Sequence, residues 1–168
     1  MNWIIRDERK DDIDAIAEVT RVAFENHPYG HNTEQFIIRA LREAGALSLS
    51  LVAESEGRVV GHVAFSPVSV SDGSRDWYGV GPVSVLPGLQ RKGIGQSLIR
   101  EGLARLKAAE ARGCVLVGDP GYYARFGFRS DPGLIHEGVP QEFVLALSRD
   151  GSRAQGTVTF HPAFFVMS

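Results

Sequence analysis

Hydrophobic and polar positions follow two periods along the chain, and the switches between them mark the elements. Trp3, Ile4 and Ile5 form a short apolar run ending at Arg6, which predicts a first strand. Ile13, Ile16, Ala17, Thr20, Ala23 and Phe24 then recur by threes and fours, the spacing of one helix face, with Asp11 or Asp12 as cap. The stretch "ENHPYGHN" breaks that pattern, and Asn32 or Thr33 can cap a second helix running to about Glu43. Leu47, Leu49, Leu51 and Ala53 alternate with Ser48, Ser50, Val52 and Glu54, a strand pattern. "SEGR" is a turn, and "VVGHVAFSPV" is the returning strand of the hairpin.

After a second turn at "SDGS", the run "DWYGVGPVSVL" predicts another strand. From Ile94 to Ala111 the spacing is helical, with Ile94, Leu98, Ile99, Leu103, Leu106 and Ala109 on one face. "CVLVG" reads as a short buried strand and "YYARFGF" as a short helix stopped at Gly127. "EFVLALS" and "GTVTFH" supply the last strands. Helices, a hairpin and then strand–helix–strand predict a mixed α/β sheet, not a bundle. With 168 residues and no linker, a single domain over 1–168 is expected.

Composition narrows the partners. The formal net charge of −2 favours neither nucleic acid nor an anionic membrane surface. No apolar run approaches the ~20 residues of a membrane span. The N-terminus "MNWIIRDERKDD" is acidic where a signal peptide needs apolar residues. The single Cys114, within "CVLV", reads as a reduced core thiol, and with no intramolecular disulfide available the expected location is cytoplasmic.

The chemistry concentrates between Leu86 and Gln96. There the loop "PGLQRKG" joins a strand to the long helix, whose first-turn amides and dipole place positive potential in the loop. Gly93 and Gly95 let a ligand reach the backbone, and Arg91 and Lys92 add full charges, so the loop reads as a pyrophosphate seat. A P-loop is excluded because Ile94 and Gly95 follow Gly93 where Lys and Ser/Thr belong. The dinucleotide fingerprint fits poorly, with Leu98 at its last glycine and a mid-chain position.

Gln90-Arg91-Lys92-Gly93-Ile94-Gly95 does fit Gln/Arg-x-x-Gly-x-Gly/Ala. This resembles the pyrophosphate motif of the GCN5-related N-acetyltransferase (GNAT) family. "GPVSVLPGLQRKGIG" is similar to that family's fourth strand entering its central helix, and "YYARFGF" to its downstream Tyr-x-x-x-Gly-Phe signature. "IIRDERKDDIDAIAEVTRVAF" is similar to its first strand and helix, so the likeness covers most of the chain. The string Gly118-Asp-Pro-x-Tyr-Tyr123 resembles a bacterial branch of N-acetyltransferases.

The resemblance implies an α/β fold with a central mixed, mostly antiparallel, twisted sheet flanked by helices and splayed at a bulge in the fourth strand. It implies acetyl-CoA as co-substrate, without a metal. Val83 and Val85 would pair with the pantetheine arm, and Gln90, Arg91, Lys92, Gly93, Ile94, Gly95 and Gln96 would hold the pyrophosphate. Tyr123 would be the catalytic acid that protonates the departing thiolate, a task suited to a phenol. Gly81-Pro82 is the expected bulge, because proline cannot donate to a ladder.

The family's strand glutamate has no counterpart here, since Gly79, Val80 and Gly81 occupy that region. Glu25, Glu34, His62, Asp76 or a water remain as proton acceptors, with His62 reading first as a strand histidine. His27 and His31 lack the companions of a zinc site and read as a substrate loop, while Asp119 caps the helix of Tyr123. The expected activity is direct transfer of an acetyl group to a primary amine, on a small molecule or a peptide. A non-catalytic acyl-CoA sensor and a transferase of longer acyl groups are the alternatives. The apolar tail "HPAFFVM" either completes the core or packs against a second copy in a homodimer.

Overall fold

The computed structural model describes residues 1–28 and 30–167. In chain order the strands and α-helices are β1 (Ile4–Asp7), α1 (Ile13–Phe24), α2 (Glu34–Glu43), β2 (Leu49–Ser55), β3 (Arg58–Pro67), β4 (Ser69–Val70), β5 (Trp77–Val85), α3 (Ile94–Ala108), β6 (Gly113–Val117), α4 (Pro120–Tyr123), β7 (Arg129–Ser130), β8 (Leu134–Ile135), β9 (Val144–Ser148) and β10 (Gly156–Thr159). The main sheet has the order β1-β2-β3-β5-β6-β9-β7. Its pairs β1–β2, β2–β3, β6–β9 and β7–β9 are antiparallel, and β5–β6 is parallel. The mixed, mostly antiparallel α/β sheet expected from the sequence is therefore present. The strand expected as the fourth is β5, because the two-residue β4 precedes it.

Two compact units share β5 and α3. The first comprises Met1–Ser66, Gly81–Leu103 and the tail from Pro162. Its hairpin β2–β3 turns on Glu56 and Gly57, at φ +52° and +78°, the pair of left-handed residues that a two-residue turn needs. Both faces of β3 are covered. On one, Ala64 and the neighbouring β2 residue Val52 pack with Ile16, Val19 and Ile38 from α1 and α2. On the other, a Cβ on Gly61 would lie 3.1 Å from Leu98 and 3.2 Å from Ile94 of α3.

The tail adds Ala163 to a cluster with Ile37, Leu41 and Ala46, with Phe164 and Val166 against it. That much of it completes a core, while Phe165 and Met167 stay exposed.

Neither expected cap of the first two helices is made as anticipated. Arg6 holds the Asp12 carboxylate at 2.7 Å, and the same carboxylate accepts the Arg9 N–H, so it does not cap α1. Thr33 takes the capping position of α2 without a side-chain hydrogen bond. Instead Glu34 accepts the N–H of His31 at 3.0 Å.

The second unit comprises Pro67–Val80 and Ala104–His161. Its core joins Val70, Trp77, Val115, Leu134, Val144, Ala154 and Val158. The parallel β5–β6 register covers Trp77 to Gly79 against Gly113 to Val115. Gly113 is needed there because a Cβ would come within 2.5 Å of the Trp77 ring. A small sheet, β4-β10-β8, escaped the sequence reading because two of its strands have only two residues each.

Candidate active site

The residues from Gly81 to Gln96 lie in the first unit as one continuous device. Gly81 has φ +126°, which a residue with a side chain rarely adopts, and it stands where the bulge was expected. Val83 is half-buried and Val85 is buried as β5 ends. Pro87–Leu89 make one 3₁₀ turn. Gln90 then runs extended, and its side-chain amide donates to the Val85 carbonyl at 3.1 Å, bracing the loop against its own strand.

Arg91 and Gly93 follow with φ +65° and +99°. These reversals turn the backbone into α3, which starts at Ile94. The Ser97 N–H bonds to the Gly93 carbonyl at 3.0 Å, so Gly93 stands at the cap position. The amides of Ile94, Gly95 and Gln96 precede the first intrahelical bond and remain directed out of the helix end. Arg91 and Lys92 are exposed beside them, whereas Ile94 is buried and anchors the turn. Amide donors, a helix dipole and two cations on one short loop are the donor set an anion requires.

Gly93 is required for its backbone angle and not for space. A Cβ there would meet only the Trp3 ring, at 3.8 Å, an ordinary contact. The indole Nε1–H of Trp3 donates to Ser97 Oγ at 3.2 Å, and that hydroxyl donates to the Gly93 carbonyl at 3.0 Å. Sequence reasoning missed both residues. Ser97, one turn after Gly93, was available to it, but Trp3 lies ninety-four positions away.

Tyr123 belongs to the second unit. Asp119 caps its short helix, accepting the Gly121 N–H at 2.9 Å, and Gly127 ends the segment at φ +96°, both as expected. The Tyr123 ring meets Tyr122 edge-on at 4.9 Å and Phe128 at 6.0 Å. Gly118 makes room for it, since a Cβ would come within 2.6 Å of the ring. Burial, with a smaller contribution from Tyr122, pushes the phenol up to about 12, so it is a proton donor at neutral pH. Cys114 is buried and its thiol is pushed up to about 12 by burial, the environment of an inert core thiol.

The possible proton acceptors separate by environment. Glu25 is exposed at the end of α1, 3.8 Å from Arg21. Asp76 is an exposed turn residue at φ +64° whose carbonyl accepts the Arg112 N–H. Glu34 is buried, and its Oε1 has no hydrogen-bond partner among the described residues.

His62 has no accessible surface. Its Nε2 lies 2.7 Å from Ser50 Oγ, which donates to Glu8 at 2.7 Å, and Arg42 pairs with Glu8 at 2.6 Å. Ser50 has one proton and gives it to Glu8, so Nε2 carries the ring hydrogen and donates to Ser50. Burial, only partly offset by Glu8, lowers the imidazole to about 4. Burial also pushes Glu8 up, but its hydrogen bonds to Arg42 and Ser50 outweigh that and hold it below the usual carboxylate range. A neutral ring sealed from solvent is a structural histidine.

His27 and His31 are exposed, and Tyr29 between them lies outside the described residues. No group of side chains suited to a metal ion occurs among the described residues. None of the described helices is long and apolar enough to cross a membrane.

This fold and this loop define a class. Residues 4–130 match the family model of the acetyltransferase (GNAT) domain, and the chain belongs to the GNAT acetyltransferases. Among its relatives is the uncharacterized N-acetyltransferase YhbS of Escherichia coli K12, 38% identical over 126 residues, which are 74% of this chain and 72% of that protein. The uncharacterized N-acetyltransferase YjhQ of the same strain is 31% identical over 141 residues, 81% of this chain and 74% of that one.

Two crystal structures extend the comparison. A GNAT family acetyltransferase from Brucella melitensis, in complex with acetyl-CoA, is 48% identical with TM-score 0.87, over 97% of this chain and 98% of that one. Escherichia coli YhbS, in complex with CoA, is 31% identical with TM-score 0.88, over 100% and 94%.

Proposed function

We propose that this acetyltransferase binds acetyl-CoA with its pyrophosphate on the amides from Arg91 to Gln96 and moves the acetyl group directly to a primary amine. The observation that carries the reading is the loop itself. Arg91 and Gly93 reverse the backbone so that a helix end with free amides meets two exposed cations. The acetyl-CoA complex of the 48% identical Brucella protein supports the same ligand here.

In this reading Val83 and Val85 pair with the pantetheine arm, and a β5 amide polarises the thioester carbonyl. The amine nitrogen attacks the carbonyl carbon, the C–N bond forms and the C–S bond breaks. Tyr123 gives its phenolic proton to the departing thiolate. The proton lost by the amine goes to Glu25, Glu34, Asp76 or water, with sealed His62 set aside. The acceptor is a small molecule or peptide amine, and the protein works in the cytoplasm.

The test is calorimetric titration with acetyl-CoA, desulfo-CoA and adenosine bisphosphate, followed by thiol release in the presence of a panel of amines. Binding that survives loss of the sulfur and weakens without the pantetheine–pyrophosphate unit supports the seat. Arg91→Glu sets an anion against a pyrophosphate and is expected to weaken acetyl-CoA at least ~10-fold, about 1.4 kcal/mol. Unchanged affinity in that variant removes the assignment. Binding without turnover on any amine would favour an acyl-CoA sensor.

A further inference from the structure

Trp3, the residue just before β1, meets the loop. Its indole donates to Ser97 Oγ at 3.2 Å, Ser97 Oγ donates to the Gly93 carbonyl at 3.0 Å, and its ring lies where a Cβ added to Gly93 would meet it at 3.8 Å. Gly93 is the residue whose positive φ aims the following amides. Its carbonyl also receives the Ser97 N–H, so both donors of Ser97 converge on one oxygen. That peptide plane is thus held directly by Ser97 of α3, and the indole acts on it through the Ser97 hydroxyl, which it orients. All of these residues belong to the same unit.

We propose that Trp3 is a positioning residue of the cofactor loop. Through Ser97 it holds the Gly93 peptide, and with it the amides of Ile94, Gly95 and Gln96, in the orientation that receives a pyrophosphate. It touches no reacting atom. Preorganised donors bind an anion without the cost of being ordered at the moment of binding, so loosening this brace weakens affinity without removing a contact to the ligand. The inference rests on reading the loop as an acetyl-CoA seat.

The geometry also makes Trp3 a reporter. The chain has two tryptophans, and Trp77 is buried in the other unit, in the core with Val115 and Val158. Trp3 is half-buried beside Gly93.

The experiment is a double-mutant cycle on the full chain, with Trp3→Phe, Ser97→Ala and the double variant. Acetyl-CoA affinity is measured by calorimetry, with kcat and KM alongside and circular dichroism to check folding. Trp3→Phe keeps a ring but loses the N–H, and loss of one such bond is expected to weaken acetyl-CoA about 2- to 10-fold. The loss appears in KM, and kcat moves less. Ser97→Ala weakens binding by a similar factor or more, and adding Trp3→Phe to it costs nothing further, because the chain is already cut. Tryptophan emission of the wild type changes on titration with acetyl-CoA, and that change disappears in Trp3→Phe.

Unchanged affinity in a folded Trp3→Phe, or losses that simply add, overturns the positioning role. If Trp3→Phe does not fold, an Ser97→Ala variant with wild-type affinity overturns it as well. A wild type that fails to bind acetyl-CoA overturns the reading of the seat, a distinct result.

Discussion

Tyr123 and His62 show how burial divides two titratable side chains between chemistry and architecture. Both are driven toward the neutral form, the phenol to about 12 and the imidazole to about 4. A neutral phenol still has a proton to give. Tyr123→Phe keeps the ring among Tyr122, Phe126 and Phe128 but removes that proton. Turnover is expected to fall about 100-fold or more with little change in acetyl-CoA affinity, read from steady-state kinetics beside calorimetry. A variant as active as the wild type would retire the acid role.

His62 predicts a stability effect instead. Its folded value lies below the ordinary 6.5, so the unfolded chain binds the extra proton first as pH falls. Its contribution is present above about pH 6.5 and is lost on acidification toward pH 4, by roughly 3 kcal/mol. Urea unfolding across that window should show a steeper acid loss for the wild type than for His62→Gln.

The Gln90–Gly95 motif was legible at this scale because its six residues are contiguous. The Arg42–Glu8–Ser50–His62 chain was not, because α2, the residue after β1, β2 and β3 bring its members together only on folding.

At the level of elements, α3 carries the most constraint. Its N-terminus presents the amides, and its apolar face was legible from the recurrence of Ile94, Leu98, Ile99 and Leu106, all buried. Gly102 within that helix carried no such signal. A Cβ there would overlap the ring of Phe65, which is fully buried on β3, so the glycine sets how closely helix and strand approach. Alanine favours a helix by about 1 kcal/mol over glycine. Overpacking a sealed ring costs about 1–3 kcal/mol and outweighs it. Gly102→Ala should therefore lower the urea midpoint, and Gly102→Ala with Phe65→Leu should recover part of the loss.

The misread cap of α1 has a related cause. Asp12 has the right residue type and position, but Arg6 and the Arg9 amide take its oxygens. A cap can be proposed from sequence, whereas the competitor for it is a neighbour in space.

For the molecule as a whole, the mixed sheet followed from the order of patterns along the chain, and the family from the resemblance carried by two motifs, Gln90–Gly95 and Tyr123–Phe128, standing in order. The small β4-β10-β8 sheet did not, because β4 and β8 have two residues each and leave no periodicity to read. Nor did the division into two units, because boundaries between them fall inside β5 and α3, which each read as one continuous element. Ligand linkage gives the prediction at this scale. At acetyl-CoA one hundred times its Kd the folded state gains about 2.7 kcal/mol. For a chain of this size that raises Tm by roughly 5–11 °C in a thermal scan. No shift at saturating acetyl-CoA would contradict binding to the folded state.

Arg91 carries a conflict between stability and use. It is a long, charged side chain held at φ +65°, a conformation that costs most residues with a Cβ about 1–2 kcal/mol and that asparagine tolerates more readily. Its cation stands where nearby positive potential opposes it until an anion arrives. Selection for heat resistance alone, in the absence of acyl-CoA, should drift toward Asn or Gly at this position. Selection for acetylation should restore the arginine, so a library sorted both ways would separate at residue 91 before it separated anywhere in the core.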